Sequence, residues 1–271
     1  MTADQAGFEA LTREISRSAG LTLDAYKDKC LRRRIAVRMR ACGVHTYAEY
    51  QHLLARSPGE YELLKDALTI NVTRFFRNAE TWERLRVEHL PPLLATIPGV
   101  IRVWSAGCAS GDEAYGLVIL VAEAAVAAGG TAGLDRVQVD ATDIDRRSLE
   151  RAADARYRTD ALVEAPPELV SRYFELEPDG YRVAAPVRRR VRLRRHDLGR
   201  DHPPGTYHLI VCRNVVIYFE RPTQERLFQA FADALVPGGL LVLGKVETLF
   251  GPARERLQLL DPRERIYRRP A

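Results

Sequence analysis

Acidic residues set beside glycines are the first candidates for chemistry in this chain. The stretch 101–116, IRVWSAGCASGDEAYG, starts as an apolar strand and turns through Gly107, Cys108, Ala109, Ser110 and Gly111. It then delivers Asp112 and Glu113 to the start of an apolar helix. Glycine lets a backbone approach a ligand closely, and a helix start offers free N–H groups. Acids at that helix start repel a pyrophosphate and suit a ligand with a cationic end, which Glu113 can pair. Read from the residues alone, this corner is either a ligand loop or a tight βα turn. A second acid, Asp143, ends the strand expected over 137–142 (motif ATDID). A carboxylate at that place can accept both hydroxyls of a ribose; it can also cap the next helix. We assign Asp143 to the sugar and Asp145 to the cap.

Two further groups fit the same edge. Arg213 and Asn214 follow YHLIVC (207–212), a near-continuous apolar run of the kind a central parallel strand shows. In an open α/β sheet the ligand lies outside the carboxyl ends of the strands. Asn71, Thr73 and Arg77 stand in NVTRFFR (71–77). They read either as pocket lining or as neighbours of two core phenylalanines at a domain junction.

Several chemistries are excluded. No G-x-x-x-x-G-K-[ST] occurs, and Ala106–Gly111 is not G-x-G-x-x-G. The four cysteines (30, 42, 108 and 212) show no CxxC, and the six histidines form no ligand pattern. Neither a metal site nor a disulfide framework is therefore expected, and a reducing cytoplasm fits. No apolar run reaches the roughly 18 residues of a membrane span, and the N-terminus lacks the form of a signal peptide. The Asn/Asp-Pro-Pro-Tyr of nitrogen methylation is absent at Cys212–Val215. A ligand that joins a nucleoside to a cationic amino-acid tail fits best, and S-adenosylmethionine has both.

These residues need a scaffold. The 271 residues, 46% hydrophobic, suffice for one large domain or two. From residue 101 strands and helices alternate, which argues an α/β fold with a mostly parallel sheet. Residues 1–70 read as an all-helical module and 71–271 as the α/β domain. Helices are expected over 8–19, 23–42, 46–55 and 60–70, with Thr46 and Glu49 as a capping box. Another is expected over 82–94. The helix 23–42 buries Leu31, Ile35 and Met39 and turns Lys27, Lys29, Arg32, Arg33, Arg34, Arg38 and Arg40 the other way. With a net charge of +5, that face is either simply solvated or docks an acidic helix. The aromatic interleaving of a single-strand nucleic-acid binder is absent, so no nucleic-acid partner is expected. A second basic run, Arg188 to Arg195, falls in a small antiparallel excursion expected over about 176–195. Tyr181–Val183 and Val187–Leu193 would be its strands.

The chain resembles the CheR-type chemotaxis receptor methyltransferases. The resemblance rests on NVTRFFR (71–77), WSAGCASGDEAYG (104–116), ATDID (141–145), CRNVVIYF (212–219), PGGLLVLG (237–244) and the helical YKDKCLRRRIAVRMR. It implies a class I S-adenosylmethionine-dependent methyltransferase, a Rossmann-like mixed sheet whose last strand is antiparallel. It implies methyl transfer to glutamate side chains of chemoreceptor cytoplasmic helices, leaving S-adenosylhomocysteine and glutamyl methyl esters. Cofactor contacts are implied at Asn71, Thr73, Arg77, Gly107, Glu113, Asp143, Asp197, Leu198, Arg213 and Asn214. Arg77 and Tyr218 are implied beside the methyl group, and the basic helix, through Arg33, Arg34 and Arg38, on the acidic receptor bundle. The expected protein is a monomer that meets the membrane only through receptors. The alternatives are an O-methyltransferase of another acidic protein or small carboxylate, and a non-catalytic cofactor-binding adaptor. The family's Gly-His-Ser-Glu is Gly244-Lys245-Val246-Glu247 here. The excursion lacks the Gly-Arg-rich signature of members that tether a receptor's C-terminal pentapeptide, so pentapeptide-independent methylation is expected.

Overall fold

The computed structural model describes residues 3–19, 21–69, 73–129 and 133–271. Two compact units result. The first comprises the described residues before position 72 together with Tyr218–Gln224. Its helices are α1 (Ala3–Ala19), α2 (Asp28–Ala41), α3 (Tyr47–Arg56) and α4 (Pro58–Leu68). Phe8, Leu11 and Ile15 of α1 and Leu31, Ile35 and Met39 of α2 are buried at helical spacing, as the periodicity requires. The Thr46–Glu49 capping box is formed. Ser57 ends α3 and caps α4, whose first residue is Pro58.

One expectation fails in this unit. The helix predicted from 23 begins at Asp28, after a 3-10 turn over Leu23–Ala25. Tyr26 is instead extended and forms an antiparallel bridge with Phe219. Lys27 donates its N–H to Tyr218 O at 2.8 Å, and Glu220 donates to Ala25 O at 2.8 Å. A tertiary pairing overrides local helix propensity.

The second unit holds the sheet. It opens with α5 (Ala79–Arg84), a π-helical stretch over Leu85–His89, and α6 (Leu90–Leu94), where a single helix was expected. Pro91 and Pro92 carry no N–H, so the regular ladder cannot run through. Then follow β1 (Ile101–Ala106), α7 (Asp112–Ala127), β2 (Val137–Asp143), α8 (Arg146–Asp154), β3 (Arg156–Tyr157), α9 (Pro167–Tyr173), β4 (Phe174–Glu177), β5 (Gly180–Val183) and α10 (Ala185–Arg188). The chain closes with β6 (Val191–Arg195), β7 (Tyr207–Cys212), α11 (Arg221–Ala234), β8 (Leu235–Leu243), α12 (Ala253–Arg256), β9 (Gln258–Asp261) and β10 (Ile266–Arg268).

Seven strands run in the order β6-β2-β1-β7-β8-β10-β9. The first five are parallel, and β10 is antiparallel to both β8 and β9. The expected mixed sheet with an antiparallel last strand is therefore present. β1 and β7 are buried nearly throughout, and α7 is apolar almost all round, as a helix sandwiched inside a fold must be.

The small antiparallel sheet is β3-β5-β4. It recruits Arg156–Tyr157 and excludes the Arg-rich run. Val191–Arg195 pairs in parallel with β2, as the edge of the main sheet. The excursion predicted to reach residue 195 thus ends before β6.

Candidate active site

The loop after β1 folds back over the end of β2. Gly107 and Cys108 both donate their N–H to Thr142 O, at 2.8 and 2.9 Å. Gly107 has φ +87°, and a Cβ there would lie 2.6 Å from Val215 Cγ2. Gly111 has φ +89°, and a Cβ there would lie 2.8 Å from Ala152 Cβ. Both glycines are thus demanded by the protein's own backbone conformation and packing.

Asp143 braces this loop. Its Oδ2 accepts the N–H of Ala109 at 2.8 Å and its Oδ1 the N–H of Asp145 at 2.9 Å. Burial pushes its carboxyl up, and those two N–H groups pull it back. Asp145 caps α8, as expected, accepting from Arg147 N at 3.0 Å and Ser148 Oγ at 2.8 Å. His196 donates its N–H to Asp143 O at 2.9 Å, which brings the buried Asp197 and Leu198 to the same edge.

Of the two acids opening α7, Glu113 faces the cations. Ser105 Oγ donates to Glu113 Oε1 at 2.8 Å. Burial pushes the Glu113 carboxyl up to about 7, against the opposing charges of Arg213 and Arg77. Asp112 is bonded by Ser110 Oγ at 2.8 Å, and burial pushes it up to about 6.

Arg213 is buried and ties the end of β7 to the segment before α5. It donates to Arg77 O at 2.9 Å and to Asn78 Oδ1 at 2.8 Å, and its guanidinium lies 5.0 Å from the Trp82 ring centre. Burial pulls its pKa down. Asn214 adopts φ +59° and gives its N–H to Glu247 Oε2 at 3.0 Å. Lys245 bridges Glu80 at 3.0 Å and Glu264 at 3.1 Å, so this departure from the family motif is held by an ion-pair pair, while Val246 is exposed.

The second unit therefore brings Arg77, Gly107, Glu113, Asp143, Asp197, Leu198, Arg213 and Asn214 to the carboxyl edge of its sheet. Thr73 is half-buried at its start. Asn71 lies outside the described residues. The remaining predicted residues lie in the first unit. Tyr218 accepts from Lys27 through its carbonyl, and Arg34 stands 5.0 Å over its ring. Arg34 also donates to Leu68 O. Arg38 makes a two-armed contact with the buried Glu60, at 3.0 and 2.5 Å, and Tyr50 donates to Glu60 at 2.7 Å. Arg33 is exposed. The docking triplet is thus divided: two of its three guanidiniums are committed inside the helical unit.

Residue reasoning missed the part played by Ser105, which orients Glu113, and by Glu247. A carboxylate shortly after a strand, with a glycine three residues before it, was the available signal for the second.

Residues 71–265 match the family described as "CheR methyltransferase, SAM binding domain". Residues 6–69 match "CheR methyltransferase, all-alpha domain". A protein of Listeria innocua named "Chemotaxis protein methyltransferase" is 34% identical over 250 residues, covering 92% of this chain and 93% of its own. A protein of the same name from Klebsiella aerogenes is 33% identical over 268 residues, covering 92% of this chain and 86% of its own. One from Escherichia coli is 32% identical over 260 residues, with 89% and 84% covered.

Proposed function

The chain belongs to the CheR methyltransferase family, and from that premise we propose that it methylates glutamate side chains on the cytoplasmic helices of chemoreceptors. It is an S-adenosylmethionine-dependent methyltransferase. The receptor substrate, the cytoplasmic setting and the residue roles below are our reading. Among the described residues no helix is long and apolar enough to cross a membrane, so contact with membranes would run through the receptors. The monomeric, pentapeptide-independent mode is part of the same proposal.

The observation that carries the reading is the edge that gathers Glu113, Asp143, Arg213 and Arg77. A half-buried carboxylate pushed up to about 7 suits a cationic tail, because an ammonium would restore its ionised form. Asp143, braced by two backbone N–H groups, is the candidate for the sugar hydroxyls. The donor set therefore fits S-adenosylmethionine. When bound, that cofactor supplies a methyl group activated on sulfur.

The protein's own share of the work is modest in kind. A substrate glutamate has a reference pKa of about 4.3 and is ionised at neutral pH, so no general base is needed. Methyl transfer requires the carboxylate oxygen to be held in line and stripped of water. Arg77 is proposed to orient the incoming carboxylate or the cofactor's tail through its planar guanidinium. Tyr218 is proposed to crowd or hydrogen-bond the reacting centre. The exposed side of α2 is proposed to meet the acidic receptor bundle.

The test is transfer of label from radioactive S-adenosylmethionine to receptor-containing membranes. Base-labile label on the receptor band is the expected result, the mark of a carboxyl methyl ester. Base-stable label, or none on receptor, would overturn the reading.

A further inference from the structure

Glu247 follows the end of β8 by four residues and is 3% exposed. All four hydrogen bonds of its carboxylate come from main chain. Oε2 accepts from Gly244 at 2.6 Å and Asn214 at 3.0 Å; Oε1 accepts from Val215 at 3.0 Å and Ile217 at 3.3 Å. A carboxylate offers about four acceptor sites, so its capacity is filled. Successive N–H groups that include a left-handed residue form a concave anion-binding nest, and Asn214 at φ +59° is that residue. The anion in this nest is the protein's own. Gly244 has no room for a side chain, since a Cβ would lie 2.7 Å from Glu247 Oε2 and 2.9 Å from Asn214 N.

The segment so gripped borders the candidate cofactor site on both flanks. On one, Val215 packs against Gly107, the first glycine of the loop after β1. On the other, Arg213 reaches Arg77 O and Asn78. A left-handed backbone is disfavoured for residues with a side chain, and asparagine tolerates it better than most. Four bonds to one buried carboxylate supply the restraint that the conformation needs.

We propose that Glu247 is a positioning residue for methyl transfer: its carboxylate preforms the Asn214–Ile217 segment, so that Asn214 and the Gly107 turn are set for S-adenosylmethionine before it arrives. The inference rests on the reading that Arg213 and Asn214 contact the cofactor. It concerns how that contact is prepared.

The experiment is a double-mutant cycle read by calorimetric titration with S-adenosylmethionine. Glu247→Gln keeps the size and replaces one acceptor oxygen with an amide that faces N–H groups. It is expected to raise Kd about tenfold, the loss typical of a charged hydrogen-bond partner. Asn214→Ala is expected to raise Kd as well. In the Asn214→Ala background, Glu247→Gln should add no more than about threefold, because coupled residues are not additive. Effects that multiply in full, or wild-type affinity in Glu247→Gln, would overturn the proposal. Wild-type affinity in Asn214→Ala would overturn the cofactor reading and this proposal together. Hydrogen exchange of the unaltered protein needs no variant. Without cofactor, the amides of Asn214, Val215 and Ile217 should be protected about a hundredfold relative to an open loop; exchange at open-loop rates until cofactor is added would also overturn it.

Discussion

Asp143 Oδ2 accepts the backbone N–H of Ala109 at 2.8 Å. The acid proposed to hold the sugar is thus also a strut of the loop that it faces. Removing it should act twice. Asp143→Ala is expected to weaken S-adenosylmethionine binding by about thirtyfold or more and to lower unfolding stability by about 2 kcal/mol, since the N–H groups of Ala109 and Asp145 lose their acceptor. Asp143→Asn keeps one acceptor and should lose less of both. Calorimetry and urea unfolding check the pair; wild-type affinity in Asp143→Ala would remove this residue from the site.

The raised pKa of Glu113 predicts two opposite pH trends. Its value of about 7 in the folded protein exceeds the reference of about 4.3 for an unfolded chain. The stability linked to it is therefore full below pH ~4.3 and is lost as pH rises through ~7. Cofactor binding runs the other way, because the ammonium requires the ionised form. Below pH ~7, Kd should rise up to about tenfold per pH unit, and at pH 6 binding should release about one proton. Titration in buffers of different ionisation enthalpy measures that proton. Glu113→Gln should bind weakly and lack both trends.

Gly107→Ala should be costly. The residue has φ +87°, and the added methyl would lie 2.6 Å from Val215 Cγ2. Left-handed strain and overpacking together suggest a loss of about 2 kcal/mol or more. Adding Val215→Ala should restore the packing share and leave the backbone share. Chemical denaturation of the single and double variants separates the two.

The basic helix should split into docking and structural arginines. Arg33 is exposed, and Arg33→Glu is expected to raise KM for receptor severalfold with cofactor Kd unchanged. Arg38→Ala strands Glu60, which is 7% exposed and still bonded by Tyr50. It should destabilise the protein by about 3 kcal/mol, the cost of breaking a buried pair. An unaltered KM in Arg33→Glu would argue against this face as the receptor contact.

Much of the scaffold could be read from residue patterns. The mostly apolar stretch 101–104 and the near-continuous apolar run 207–212 marked central strands, and Thr46–Glu49 and Asp145 marked helix starts. Apart from the helix interrupted near Pro91 and Pro92, the failures depend on a partner distant in sequence. Val191 and Leu193 alternate with arginines equally well in a hairpin or at a sheet edge, and only pairing with β2 decides. Tyr26 and Lys27 sit in a basic helical pattern yet extend to meet Phe219 and Tyr218. Glu60 neutralises Arg38 across 22 positions, so a count of bases overstated the free charge. At the site, the acids and Arg213 were legible from spacing. The grip of Glu247 on four amides was not, because its donors are main chain and only the Gly244–Glu247 spacing hinted at it.

The joining of Tyr218–Gln224 to the amino-terminal helices bears on how the chain can be dissected. Phe219 is 1% exposed, and its ring lies 4.7 Å from that of Tyr26. A protein lacking residues 1–70 would bare this phenylalanine and release the strand-like contact that fixes Tyr218. Two segments distant in sequence therefore build the helical unit. It is no detachable cassette, and shuffling it between relatives would require exchanging the 218–224 segment with it.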